Sequence, residues 1–187
     1  MQICNAVRRP LLAVLGLVIG VCGLQAATLE RISLEEMAAK STAIVRGKVL
    51  GSWAAFSGAV IYTHYRIQVT ERFKGTEQSA VEIVVPGGLA NNLRQTFSGT
   101  PEFQTGDEYV FFLWSGRDRL THVIGLTQGL FTLAKDHASD PTVTRPASRE
   151  LMIDRTTGQA VKDQTLVMRL SELRSRIAGT LGAAAAK

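Results

Sequence analysis

Cysteine is almost missing from this chain: Cys4 and Cys22 are the two present, and both lie within the first 26 residues. Arg8 and Arg9 precede an unbroken apolar run at 11–24, and small residues follow at Ala26 and Ala27. That is the layout of a secretory signal peptide over residues 1–26. The expected mature chain is therefore extracytoplasmic, periplasmic or secreted, and free of cysteine. A disulfide scaffold, a thiol nucleophile and a cysteine-bound metal are excluded together. The apolar run is also shorter than the roughly 20 residues a membrane span takes, so no span is expected after cleavage. Cleavage after Ala26 sets Leu24 at the −3 position, and a cut after Ala27 fits as well. Val21 stands where a lipoprotein peptidase takes Gly, Ala or Ser, which disfavours acylation of Cys22.

Catalytic signatures are missing too. No GxSxG elbow is present, and Ser57, Ser98 and Ser115 each precede glycine as turn residues do. His64, His122 and His137 form no HxH or HExxH spacing, so no metal site is expected. Asp107 and Glu108 are adjacent, and on a strand they point to opposite faces rather than flanking one substrate bond. Gly87 and Gly88 precede no phosphate-loop lysine. The expectation is no catalytic residue and no cofactor.

What remains is long enough to bury one core without staples. The mature chain keeps 19 of the 21 Lys and Arg and all 16 Asp and Glu, so its net charge falls from +5 to +3 as Arg8 and Arg9 leave. Such a balance gives no reason to expect a nucleic-acid partner.

Ser33 followed by Glu36 forms a capping box, which predicts a short helix over 34–40. Residues 43–50 then alternate, with Ala43, Val45, Gly47 and Val49 on one face. The clearest strand starts at Ile61, where Ile61, Thr63, Tyr65, Ile67 and Val69 point in and Tyr62, His64, Arg66, Gln68 and Thr70 point out. Residues 51–58 are expected to hold the turn between these two strands. A third strand over 80–85 stops at VPGG, and a polar loop at 87–99 follows, with a strand near 93–97. Val110, Phe111, Phe112, Leu113 and Trp114 are apolar on both faces, as in a covered central strand. Short strands follow from Leu120 and Gly129. After a turn-rich stretch comes a hairpin at 151–161 turning at Thr157 and Gly158. Leu166, Leu170, Leu173, Ile177 and Leu181 predict an amphipathic helix, with 183–186 a frayed tail.

The fold class is thus mainly β: a small antiparallel Greek-key or OB-like barrel with a short N-terminal helix and a C-terminal amphipathic helix. An immunoglobulin-like β-sandwich is the alternative. Residues 27–135 form the barrel, and 136–187 supply a hairpin and helix that pack on the same domain.

Two surfaces carry candidate ligand contacts. Arg46, Lys48 and Arg66 share outward parity, Arg72 and Lys74 stand at the strand end, and Tyr62 and His64 add flat polar rings. Such a face suits an anionic ligand, although exposed strands also carry cations to prevent aggregation, and Glu71 and Glu82 dilute the field. The second surface is the 87–99 loop, with Asn91, Asn92 and Arg94.

The blocks SLEEM, STAIVRGKV, VIYTHYRIQVTERFKG, VPGG, GDEYVFFLW and GLTQGLF, spread over residues 33–134, resemble a group of uncharacterised exported bacterial proteins. The AIVRGKV strand, the long strand ending at KG and the GDEYVFFL strand look more distantly like the OB-like barrel of netrin and metalloproteinase-inhibitor modules. That likeness implies the fold alone. The inhibitors bind the protease zinc through a free N-terminal cysteine, which the mature chain lacks. The leading functional expectation is an exported non-enzymatic binding module of the cell envelope or extracellular space. Its partner would be an envelope or extracellular protein or an anionic glycan or lipid. An inhibitor of an extracytoplasmic protease and a hydrolase with an unfamiliar site are the alternatives.

Overall fold

The computed structural model describes residues 28–75, 77–134 and 139–185. The expected signal peptide, both cysteines and His137 lie outside the described residues. In chain order the first elements are β1 (Thr28–Glu30), α1 (Leu34–Lys40), β2 (Ala43–Ser57), β3 (Val60–Lys74), β4 (Ala80–Pro86), β5 (Gly88–Ala90) and β6 (Leu93–Gln95). They are followed by β7 (Glu108–Ser115), β8 (Thr121–Val123), β9 (Leu130–Leu133), β10 (Thr142–Arg145), β11 (Leu151–Ile153), β12 (Ala160–Val161), β13 (Leu166–Arg169) and α2 (Leu170–Ala185).

The main sheet is antiparallel, ordered β13-β10-β9-β7-β2-β3-β4, with β8 also paired to β7. Its spine is β7, and the double-sided apolar pattern has a direct cause. Val110 and Phe112 face one side, where Ile44, Phe131 and Val143 join Met37 of α1 and Leu173 of α2. Phe111 and Leu113 face the other, against Val45, Val49, Ile67 and Ile83. Phe111 and Phe112 are both fully buried, each removing enough apolar surface to stabilise the fold by about 2–3 kcal/mol. The sheet curls toward a barrel, but its ladder does not close. Where β4 nears β8, no ladder joins them, and the His122 ring of β8 meets the Tyr62 ring of β3 at 6.0 Å.

The class is as expected, mainly β with a short helix before the sheet and a longer one after it. Helix α1 has the bounds the capping box predicts. The Ser33 hydroxyl accepts the Glu36 N–H at 3.1 Å, and the Glu36 carboxylate accepts the Ser33 N–H at 3.2 Å. Strand β3 hides Ile61, Tyr65 and Ile67 while Arg66 and Gln68 are exposed, following the alternation.

Several expectations are corrected. Strand β2 does not turn early within 51–58. It runs to Ser57, because Gly51 pairs with Arg66 and each residue onward finds a partner until Gly58, at φ 62, turns with Ala59. Trp114 leaves the core, being 47% exposed at the strand end. The C-terminal helix starts at Leu170 rather than Leu166. Residues 166–169 form β13 on β10, burying Met168 and exposing Val167, a period of two that four residues of leucine spacing concealed. Asp140 then caps the helix from another part of the chain, accepting the Ser171 N–H at 2.8 Å. Ala183 to Ala185 continue this helix rather than fraying. The turn-rich stretch holds β10, so the C-terminal segment does not only pack on the sheet but extends it. The expected 151–161 hairpin is present as β11 and β12, and β1 joins it in parallel, opposite Leu151 to Ile153.

Candidate functional site

The outward cations of β2 and β3 do not all share one face: Arg46, Lys48 and Arg66 do, whereas Arg72, opposite Val45, is turned to the inner one. Antiparallel pairing slips between Arg46 and Gly47 and again between Val49 and Gly51, leaving Thr70 and Leu50 as extra residues. Each slip redirects the side chains beyond it. Arg46 lies opposite Glu71, and its Nη2 donates to Glu108 Oε2 at 2.8 Å. Thr70 adds a 2.7 Å hydrogen bond to the same carboxylate. Burial pushes the Glu108 carboxyl up, and the bonds from Arg46 and Thr70 outweigh it, holding the group below its ordinary value. Glu71 also accepts Arg174 of α2 at 2.6 Å. Arg46 thus ties β2 to β3 and β7. Arg72 donates to the Glu77 carbonyl, and Lys74 Nζ caps α1 through the carbonyls of Ala38 and Ala39 at 2.9 and 2.8 Å. Lys48 and Arg66 are exposed and enter no ion pair among the described residues.

The bulge at Leu50 has a second effect. It brings Trp53 to the outer face directly opposite His64, and the two rings stack at 5.1 Å. His64 Nδ1 lies 2.7 Å from Glu82 Oε1, so this histidine is held between an indole and a carboxylate rather than standing free on the surface. Tyr62, on the same face, meets His122, which in turn lies 6.4 Å from Trp114. Among the described residues no three His, Cys, Asp or Glu side chains converge as metal ligands. None of their helices is long and apolar enough to cross a membrane.

The 87–99 segment folds into a small antiparallel hairpin of β5 and β6 rather than an open loop. Asn91 and Asn92 supply its two-residue turn at φ 49 and 61, the left-handed conformation asparagine tolerates best among residues with a Cβ. They shape the hairpin. Gln95 fastens it, accepting the Ile61 N–H at 2.6 Å and donating to the Ala59 carbonyl at 3.0 Å. Gly88 allows the approach. At φ 140, a Cβ there would fall 2.6 Å from Thr63 Oγ1 and 3.1 Å from the Ala54 Cβ.

Laid over the inner face in this way, the hairpin and residues 96–104 wall a cleft of about 380 Å³ at one end of the curled sheet. Its base includes Tyr65 and Phe103, whose rings meet edge to face at 4.8 Å, with Phe103 supported in turn by Tyr109 and Phe111. Burial pushes the Tyr65 phenol up, so it remains a neutral hydroxyl. Arg94, Phe97 and Glu102, all three exposed, are also among the lining residues. Arg94 has no ion pair or side-chain hydrogen bond among the described residues. The cleft can therefore offer a cation, a carboxylate and aromatic surface to one small group.

Of the residues singled out from the sequence, Arg94 alone lines the cleft. Lys48 and Arg66 share an open strand surface. Arg46, Tyr62 and His64 are engaged in the fold's own contacts, while Asn91 and Asn92 are exposed and form the hairpin turn. The candidate 87–99 loop supplies Phe97, whereas the sequence reading missed Tyr65, Glu102 and Phe103, and the signal that could have led to them is the pair Gly87 and Gly88, at φ 106 and 140. Consecutive glycines after a strand mark a close backbone crossing, and what the chain crosses is the mouth of the sheet. The chain matches no protein-family model, and no curated protein is significantly similar to it.

Proposed function

We propose that this protein is an exported, non-enzymatic binding module that takes an acidic sugar unit of an envelope or extracellular glycan in the cleft beneath β5 and β6. The observation that carries the reading is Arg94: an uncommitted guanidinium on the rim of a cleft of about 380 Å³ whose base is aromatic. That volume lies within the usual range for small-ligand pockets, about 300–1,000 Å³. A guanidinium meets a carboxylate or phosphate with two parallel hydrogen bonds, which gives direction as well as attraction. The exposed ring of Phe97 suits the apolar side of a pyranose ring, and the buried Tyr65 and Phe103 form the floor beneath it. Glu102 accepts from sugar hydroxyls, and at the rim it disfavours ligands of high negative charge density, such as nucleic acid. The alternatives of protease inhibition and hydrolysis have no comparable feature behind them.

Titration of the isotope-labelled protein with a uronic-acid oligosaccharide, followed by amide NMR, tests the reading. Shifts are expected at Arg94, Thr96, Phe97, Glu102 and Phe103, and Arg94→Ala weakens binding by about tenfold or more, the usual cost of losing a charge-assisted pair. A neutral oligosaccharide of equal length binds less tightly. Silence at these amides up to millimolar ligand, or unchanged binding by Arg94→Ala, defeats it.

A further inference from the structure

The distal half of β2 is an open sheet edge. Beyond Val49, whose N–H and C=O are taken by Asp107 and Gly106, pairing with β7 has ended, and residues 51–57 pair with β3 alone. Their outward backbone groups meet no other strand among the described residues. Natural sheets protect such edges with charges, prolines or short length. This edge has none of these. Residues 51–57 read GSWAAFS, uncharged and without proline, and Trp53 and Phe56 are 47% and 42% exposed.

We infer that a second copy of the chain pairs here, β2 against β2, antiparallel about a twofold axis near Ala54. Such an interface is isologous, so the segment must complement itself. Centred on Ala54, the pairing sets Trp53 opposite Ala55, Ser52 opposite Phe56 and Gly51 opposite Ser57, so that each large side chain meets a small one. The faces agree as well. Trp53 and Ala55 belong to the outer face, while Ser52, Ala54 and Phe56 belong to the inner one, as their β3 partners require. No like charges oppose one another across the axis, although each copy carries net positive charge. The nearest cation, Lys48, lies outside this ladder, where β2 pairs with β7. Seven residues a side give a ladder longer than the average strand pairing of about five or six, and the two sheets become one continuous sheet. The cleft opens between β3, β4 and the β5–β6 hairpin, and its wall at Gly88 packs against Ala54 on the inner face.

Sedimentation equilibrium of the purified protein from micromolar to millimolar concentration tests the inference. A reversible monomer–dimer equilibrium is expected, and Phe56→Lys and Ala55→Lys, both kept folded as judged by circular dichroism, each raise the dissociation constant by about tenfold or more. Hydrogen exchange on the unmodified protein gives a second reading that depends on no variant: amides of 51–57 exchange faster on dilution while those of β7 do not change. A monomer throughout the concentration range overturns the inference. So does a dimer that both variants leave intact, or dilution that leaves exchange at 51–57 unaltered.

Discussion

Arg145 and Asp163 form a forked ion pair, with Nη1 donating to Oδ2 at 3.1 Å and Nη2 to Oδ1 at 2.8 Å, and both side chains are almost wholly shielded from solvent. Asp163 also accepts the Ser148 N–H at 2.8 Å, and Arg145 donates to the Gln164 carbonyl at 2.7 Å. The pair therefore fastens β10 to the segment between β12 and β13, and neither residue lines the cleft. Its role is structural.

Removing one partner of a buried pair leaves the other charge without compensation, a loss of about 3–5 kcal/mol. Arg145 is already demanding, since its buried Nε has no partner. Asp163→Ala is expected to lower the urea midpoint by a corresponding amount. Burial raises the Asp163 carboxyl, but the bonds from Arg145, Ser148 and Gln164 prevail and hold it below the ordinary value. With the folded value depressed, this stabilisation is present above the unfolded pKa of about 3.9 and is lost as pH falls through the folded value. Denaturant titrations at pH 7 and pH 3 should show wild type and Asp163→Asn converging in stability at the lower pH. A constant gap between them contradicts the assignment.

His122 gives a second pH dependence, at higher pH. Burial lowers its pKa, opposed by the charge of Asp118 and the hydrogen bond to the Val84 main chain. An unfolded chain then binds the proton first. Stability is full above the unfolded value of about 6.5 and declines as pH falls through the lowered folded value. The difference in stability between wild type and His122→Phe should therefore change between pH 7.5 and 5, in the direction that favours the variant at low pH. A flat difference across that range would falsify it.

Two glycines with similar backbone angles should respond differently to a methyl group. Gly58, at φ 62, has no neighbour within 4 Å of its Cβ position, whereas at Gly75, at φ 68, a Cβ would lie 2.3 Å from the Thr42 carbonyl oxygen. Gly58→Ala should cost about 1–2 kcal/mol, the left-handed strain alone. Gly75→Ala adds a clash with main chain that cannot rotate away, and its thermal midpoint should fall well below that of Gly58→Ala. Equal midpoints would show that the chain near Thr42 gives way freely.

Much of the architecture was legible because it is written in short-range patterns. Ser33 and Glu36 define a helix start through their own hydrogen bonds. Ile61, Tyr65 and Ile67 define a buried strand face by period alone, and the double-sided apolar run of β7 announces a strand covered on both sides. The site was less legible. Alternation carried forward from Lys48 points Trp53 inward, and the single extra residue Leu50 reverses it. Arg46 reads as a free cation until Glu71 and Glu108 arrive from two other strands. Leu166 reads as the first residue of a helix until β10 takes its backbone into a ladder.

The sequence by itself determined the class and the local elements: where strands alternate, where glycine turns them, and which residues must leave water. Those are properties of a few neighbouring residues and their dihedral angles. Only the tertiary structure decided register, which charges neutralise one another, and where Arg94 faces open space beside aromatic rings. Those depend on residues far apart in the chain, and one bulge displaces every side chain beyond it.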